Sequence, residues 1–95
     1  MLALRKKPAD QLDYDVEFER WLSDGDSVQS ADAVTSTIEN DAAPLVVESV
    51  QLFGTIVKVW ISGGTASESY EIKVTATTAD GRVKEVCFII RVAEC

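Results

Sequence analysis

Hydrophobic and polar residues alternate with a period of two along most of the chain. Tyr70, Ile72, Val74, Ala76 and Thr78 hold one parity, and Glu71, Lys73, Thr75 and Thr77 the other. A strand with one dry and one wet face produces this pattern, because successive side chains point to opposite sides of a sheet. Ala79-Asp80-Gly81-Arg82 then supplies a turn, Asp-Gly being a strong hairpin signal. The next run directs Val86, Phe88, Ile90 and Val92 inward and Glu85, Cys87, Ile89 and Arg91 outward.

Upstream, Val57, Val59 and Ile61 alternate with Lys58, Trp60 and Ser62 as far as Gly63-Gly64. An apolar run from Leu45 to Leu52 follows Pro44, and Phe53-Gly54-Thr55 connects it to the strand beginning near Ile56. Tyr14, Val16 and Phe18 face one way, opposite Asp13, Asp15, Glu17 and Glu19. Val28 to Ile38 supplies one or two weaker strands, broken by Asp32. Strands of this length and spacing, with no helical period, predict an all-β fold: an immunoglobulin or fibronectin III-like two-layer sandwich of about seven strands. A closed barrel is the alternative. Residues 1–12 read as an extended N-terminal arm and residues 13–95 as the sandwich domain.

Composition narrows the picture. A chain of 95 residues with 46% hydrophobic and 26% charged residues fits one globular domain with one modest core. Its longest strongly apolar run, Val86 to Ile90, is far short of the roughly 18 residues a membrane helix needs. Met1 to Leu4 is too short for a signal-peptide core and precedes its charges, so secretion by that route is not expected. Cys87 and Cys95 would lie roughly 26 Å apart on an extended segment, beyond disulfide reach, and read as free thiols.

The net charge of −7 conceals an uneven layout. Arg5, Lys6 and Lys7 form a basic tip. Eleven acids between Asp10 and Glu48 face only Arg20, and five acids balance five bases thereafter. Most of such a surface repels nucleic acid, so a protein partner with a complementary field is expected.

Gly63-Gly64 raises the question of a phosphate cradle. That motif wants a Lys-Ser/Thr pair opening a helix, whereas Thr65-Ala66-Ser67-Glu68 places an acid there with a strand ahead. The pair therefore reads as a turn, where glycine supplies positive φ. The carboxylates from Asp13 to Glu19 fit a solvated strand face, and Asp24-Gly25-Asp26 a tight turn without the ligand spacing of a calcium loop. The chain has no histidine, which removes the commonest general base and transition-metal ligand. No catalytic, cofactor-binding or metal-ligating residue is assigned, and no enzyme activity is expected.

The candidate partner-binding residues are Arg5, Lys6, Lys7, Trp60 and Ile89. Trp60 shares parity with Lys58 and Ser62, on the outer face, and exposed tryptophans mark binding surfaces. The basic tip would order in an acidic groove of a partner. Cys87 and Ile89 would join Trp60 in one apolar patch if their strands are neighbours. Trp21 and Leu22 are expected to plug one end of the core.

Several stretches, LDYDVEFERWL with DGDSV and then VKVWISGGTASESYEIKVTATTADGRVKEVCFIIRV, resemble small Ig-like sandwich proteins encoded by tailed bacteriophages and prophages. The most specific part is Val59 to Ala66 with Tyr70. Ser67 stands where a glycine is usual, and Phe18 where tryptophan is common. The resemblance implies a small virion or morphogenesis component. It leads to the expectation of a non-enzymatic phage structural protein, first a capsid decoration or cement protein on the major capsid protein lattice. The alternatives are a neck or tail adaptor, or a soluble acidic module binding a host protein. Other virion proteins are the expected partners, with a homo-oligomer compatible, and no membrane or direct nucleic-acid contact. The expected location is the virion, after synthesis in the bacterial host cytoplasm.

Overall fold

The computed structural model describes residues 2–22 and 25–94. Seven strands follow one another: β1 (Leu2–Lys6), β2 (Leu12–Glu17), β3 (Val28–Thr35), β4 (Leu45–Phe53), β5 (Ile56–Gly63), β6 (Ser69–Thr78) and β7 (Val83–Val92). One 3₁₀ turn, Glu19–Trp21, stands between β2 and β3. The strands form two sheets, ordered β1-β7-β6-β3 and β2-β5-β4. Lettered A to G in chain order, these are A-G-F-C and B-E-D. This is the immunoglobulin arrangement with the first strand placed beside the last.

The inward parity of each sheet builds the core. Val57, Val59 and Ile61 of β5 face Tyr70, Ile72, Val74 and Ala76 of β6 and Phe88, Ile90 and Val92 of β7, all buried. Phe18, just past β2, is 1% exposed and closes one end with Trp21, whose ring lies 5.6 Å from it. Truncating a buried phenylalanine typically costs about 3–5 kcal/mol, so this plug is a substantial part of the fold's stability. The Lys84 ammonium caps the plug from outside, 4.9 Å above the Trp21 ring.

Two sequence expectations change, and the glycine turn gains a definite place. The segment read as an arm is extended, yet Leu2–Lys6 pairs in parallel with Phe88–Val92 and is an edge strand of the larger sheet. Asp32 does not break β3: it sits on the outer face opposite Thr75, and the irregularity comes earlier, a bulge between Val28 and Ser30. Gly63-Gly64 does not close a hairpin, because β5 and β6 belong to different sheets and the glycines open the crossing between them. Asp24 and Cys95, which carry part of the turn and thiol readings, lie outside the described residues.

That crossing is tightly built. Gly63 and Gly64 take φ of +77° and +100°, and a Cβ on them would come within 2.6 Å of the Pro44 carbonyl oxygen and of Val92 Cγ2 respectively. The Gly64 N–H donates to Ala43 O at 3.0 Å, so this amide is committed to the backbone and not to an anion. Six residues on from Gly64, the Tyr70 hydroxyl accepts the Thr65 N–H (3.0 Å) and donates to Asp41 Oδ2 (2.5 Å). A tyrosine at the start of strand F bonding back to upstream backbone is the tyrosine corner of immunoglobulin-like sandwiches. Asp41 is further held by the Thr65 hydroxyl and the Ala43 N–H.

Candidate functional site

The outer face of the β2-β5-β4 sheet holds the half-buried Trp60 and the exposed Phe53. Trp60 projects from the central strand β5, flanked by Asp13 of β2 and Ser49 of β4. Its indole N–H donates to Gln51 Oε1 at 3.2 Å, which fixes the ring's orientation at the surface. Two positions earlier, Lys58 donates to Asp13 Oδ2 at 2.9 Å and lies 3.7 Å from Asp15 Oδ1. The same ammonium stands 5.6 Å from the centre of the Phe53 ring, itself 53% exposed.

A bulge between Val47 and Ser49 decides the composition of this face. It shifts the parity of β4, so that Leu52 pairs with inward Val57 while Gln51 and Phe53 stand beside outward Lys58 and Ile56. Val46, beside Ser62, adds a second exposed apolar group, and the Ser62 hydroxyl donates to Glu48 Oε1. Asp15, Phe53, Ile56 and Lys58 line a shallow hollow at one end.

The face is acidic around its aromatic centre. Asp13, Asp15, Glu17 and Glu48 ring it, against the single cation Lys58. The Lys58 hydrogen bond holds the Asp13 carboxyl below its ordinary range, and the same bond raises the Lys58 ammonium. These groups are charged at neutral pH and orient one another. The arrangement can bind: it offers two flat rings, aliphatic surface and a negative border to a partner with apolar and basic groups.

The residues singled out in sequence do not form one site. Trp60 lies on this face. Ile89 is half-buried on the outer face of the other sheet, between Ala3 and Glu71, so no patch joins it to Trp60. Arg5 is exposed on that same opposite face, beside Arg91. Lys6 is 2% exposed and is not available to a partner. Its ammonium donates to the carbonyls of Lys7 (2.7 Å), Pro8 (3.4 Å) and Gly63 (2.5 Å), and burial pushes it below the usual lysine value. Lys7 is exposed, with its backbone N–H bonded to Asp10 Oδ2 at 3.1 Å. Phe53, Gln51 and Val46 join Trp60 without having been singled out, because only the bulge brings Gln51 and Phe53 to the side on which Val46 stands. The tight Phe53-Gly54-Thr55-Ile56 hairpin, pairing Phe53 directly with Ile56, was the available signal.

A family model matches residues 6–91, nearly the whole chain, under the description podophage GP4 fiber-tail adaptor protein gp77. The chain belongs to this family. Membership makes it a phage virion structural protein, as the resemblance implied, and it favours the tail adaptor alternative over capsid decoration. Among curated proteins no match is found.

Proposed function

We propose that this chain is a non-enzymatic adaptor between the tail and a fibre of a podophage virion, and that it docks through the outer face of β2-β5-β4. The family description supports the role. The observation that carries the docking face is Trp60, held by Gln51 at the centre of an acidic rim with exposed Phe53 nearby. Aromatic anchors of this kind cost about 2 kcal/mol or more when truncated, roughly thirtyfold in affinity. A monovalent sandwich with one such face needs a second contact to join two components, and the molecule has two sheets with which to make them.

The test is binding of the purified protein to isolated fibreless tails and to the fibre protein of the encoding phage. Trp60→Ala combined with Phe53→Ser is expected to lower affinity for one of the two by at least tenfold while leaving the thermal midpoint within a few degrees. Quantitative mass spectrometry of purified virions should find the protein with the tail fraction. A copy number matching the capsid lattice, or undiminished binding of the double variant, would refute the proposal.

A further inference from the structure

The two sides of the sandwich are closed differently. β3 and β4 lie against each other along one side, whereas β1 and β2 scarcely approach one another. On that open side a groove runs between the sheets, walled by Leu4, Val16, Val86 and Phe88, with Asp15 and Glu17 at its rim. β1 pairs with β7 only from Phe88 to Val92. Among the described residues, the Val83–Cys87 half of β7 therefore has a neighbouring strand on its β6 side alone.

Backbone parity identifies the groups left over. The Val92 N–H donates to Glu68 O on the β6 side, and the Ala93 N–H donates to Lys6 O on the β1 side. Even-numbered residues of β7 thus turn their backbone groups toward β6, and odd-numbered ones toward the β1 side. Val83 and Glu85 aim their N–H and C=O groups to the β1 side, where none of the described residues pairs with them. Val83 is 66% exposed, and Glu85 is exposed as well. Natural edges are ordinarily blunted by proline, a bulge or a stray charge. This half of β7 has no proline and no register shift, and its two charges are engaged elsewhere: inward Lys84 is turned onto Trp21, and outward Glu85 lies 3.9 Å from Lys73.

We infer that this slot receives an extended strand from a partner virion protein, a segment of about five residues in which apolar and basic side chains alternate. The inference rests on the adaptor reading and specifies a second contact, adjoining the Trp60 face and sharing Asp15 and Glu17 with it. The added strand takes the free β7 backbone groups as ladder partners and sends alternate apolar side chains into the groove, as in strand addition generally. The charge of the occupant follows from the rim. Asp15 and Glu17 are both acidic, and the nearby Lys58 is engaged mainly by Asp13, while Glu85 turns to the outer face of the other sheet beside Lys73. Lysine or arginine on the occupant's outer positions would complement the two rim acids.

Proline substitution tests the backbone itself. Glu85→Pro removes an N–H that faces the slot while sparing the β6 ladder, and Glu85→Gln removes the charge alone. Particles assembled with Glu85→Pro are expected to carry at least tenfold less of this protein than wild type, with Glu85→Gln reduced less than threefold and both variants keeping native unfolding midpoints. Amide hydrogen exchange at Val83 and Glu85 should slow at least tenfold on going from free protein to purified tails. Wild-type incorporation of Glu85→Pro, or unchanged exchange at both amides in tails that contain the protein, would overturn the inference alone. Absence of the protein from tails would instead overturn the adaptor reading. Concentration-dependent protection of the same amides in the free protein would make a second copy the occupant and likewise overturn the proposal of a partner strand.

Discussion

Gly64→Ala is expected to be among the most damaging single-methyl changes available in this chain. The added Cβ would meet Val92 Cγ2 at 2.6 Å and Leu45 Cδ1 at 3.2 Å, and the residue would be held at φ +100°. An L-residue at positive φ costs about 1–2 kcal/mol, and forcing atoms into a packed core adds about 1–3 kcal/mol. The sum, about 2–5 kcal/mol, is a large share of the roughly 5–15 kcal/mol that holds a domain of this kind together. Val92 cannot move away freely, because its N–H and C=O are bonded to Glu68 and Ser67. Gly54→Ala separates the two causes. Gly54 has φ +63° with nothing within 4 Å of its would-be Cβ, so it should lose only the backbone part. In urea unfolding followed by tryptophan fluorescence, with a slope of about 1–2 kcal/mol/M, Gly64→Ala should lower the midpoint by about 1–5 M and Gly54→Ala by about 0.5–2 M, the smaller of the two in any one buffer. Equal losses in the two variants would refute the steric argument. A Gly64→Ala midpoint indistinguishable from wild type would refute the account of the crossing altogether.

Two further outcomes concern titration. The hydrogen bonds from Thr65 and Tyr70 hold the Asp41 carboxyl below its ordinary value of 3.8. Its contribution is therefore present above that value and lost as pH falls through the lower folded one. The stability difference between wild type and Asp41→Asn should be constant from neutral pH down to about pH 5 and shrink below about pH 4 in urea titrations. For Lys6, burial lowers the ammonium below 10.5, with Asp10 opposing. Between the folded value and 10.5 the unfolded chain binds more protons, so wild-type stability should rise with pH relative to Lys6→Met. A difference that stays flat or falls from neutral pH to pH 10 would contradict the burial of that amine.

Legibility in sequence followed the regularity of each strand's surroundings. β5, β6 and β7 were plain because Val, Ile and Tyr occupy one parity without interruption, and the structure buries Val57, Val59, Ile61, Tyr70, Ile72, Ile90 and Val92 accordingly. β4 was not, since its apolar residues stand at consecutive positions and only the bulge before Ser49 decides that Val50 packs on the core and Phe53 stands out. Half of the Trp60 face was hidden for that reason. β1 escaped notice because its partner lies at the other end of the sequence and its inward Lys6 breaks the apolar pattern. A lysine can occupy such a position only where three carbonyl oxygens converge on its ammonium, and nothing in the local sequence announces that convergence.

The parallel pairing of β1 with β7 has a mechanical meaning. Tension drawn through the backbone, entering before Leu2 and leaving after Val92, pulls these two strands past each other along their length. Their five residue pairs then share the load together, in shear, instead of opening one at a time like a zipper. Antiparallel terminal strands would peel from one end under the same tension. In the adaptor role proposed above, a joint loaded by a fibre benefits from the arrangement that fails only all at once.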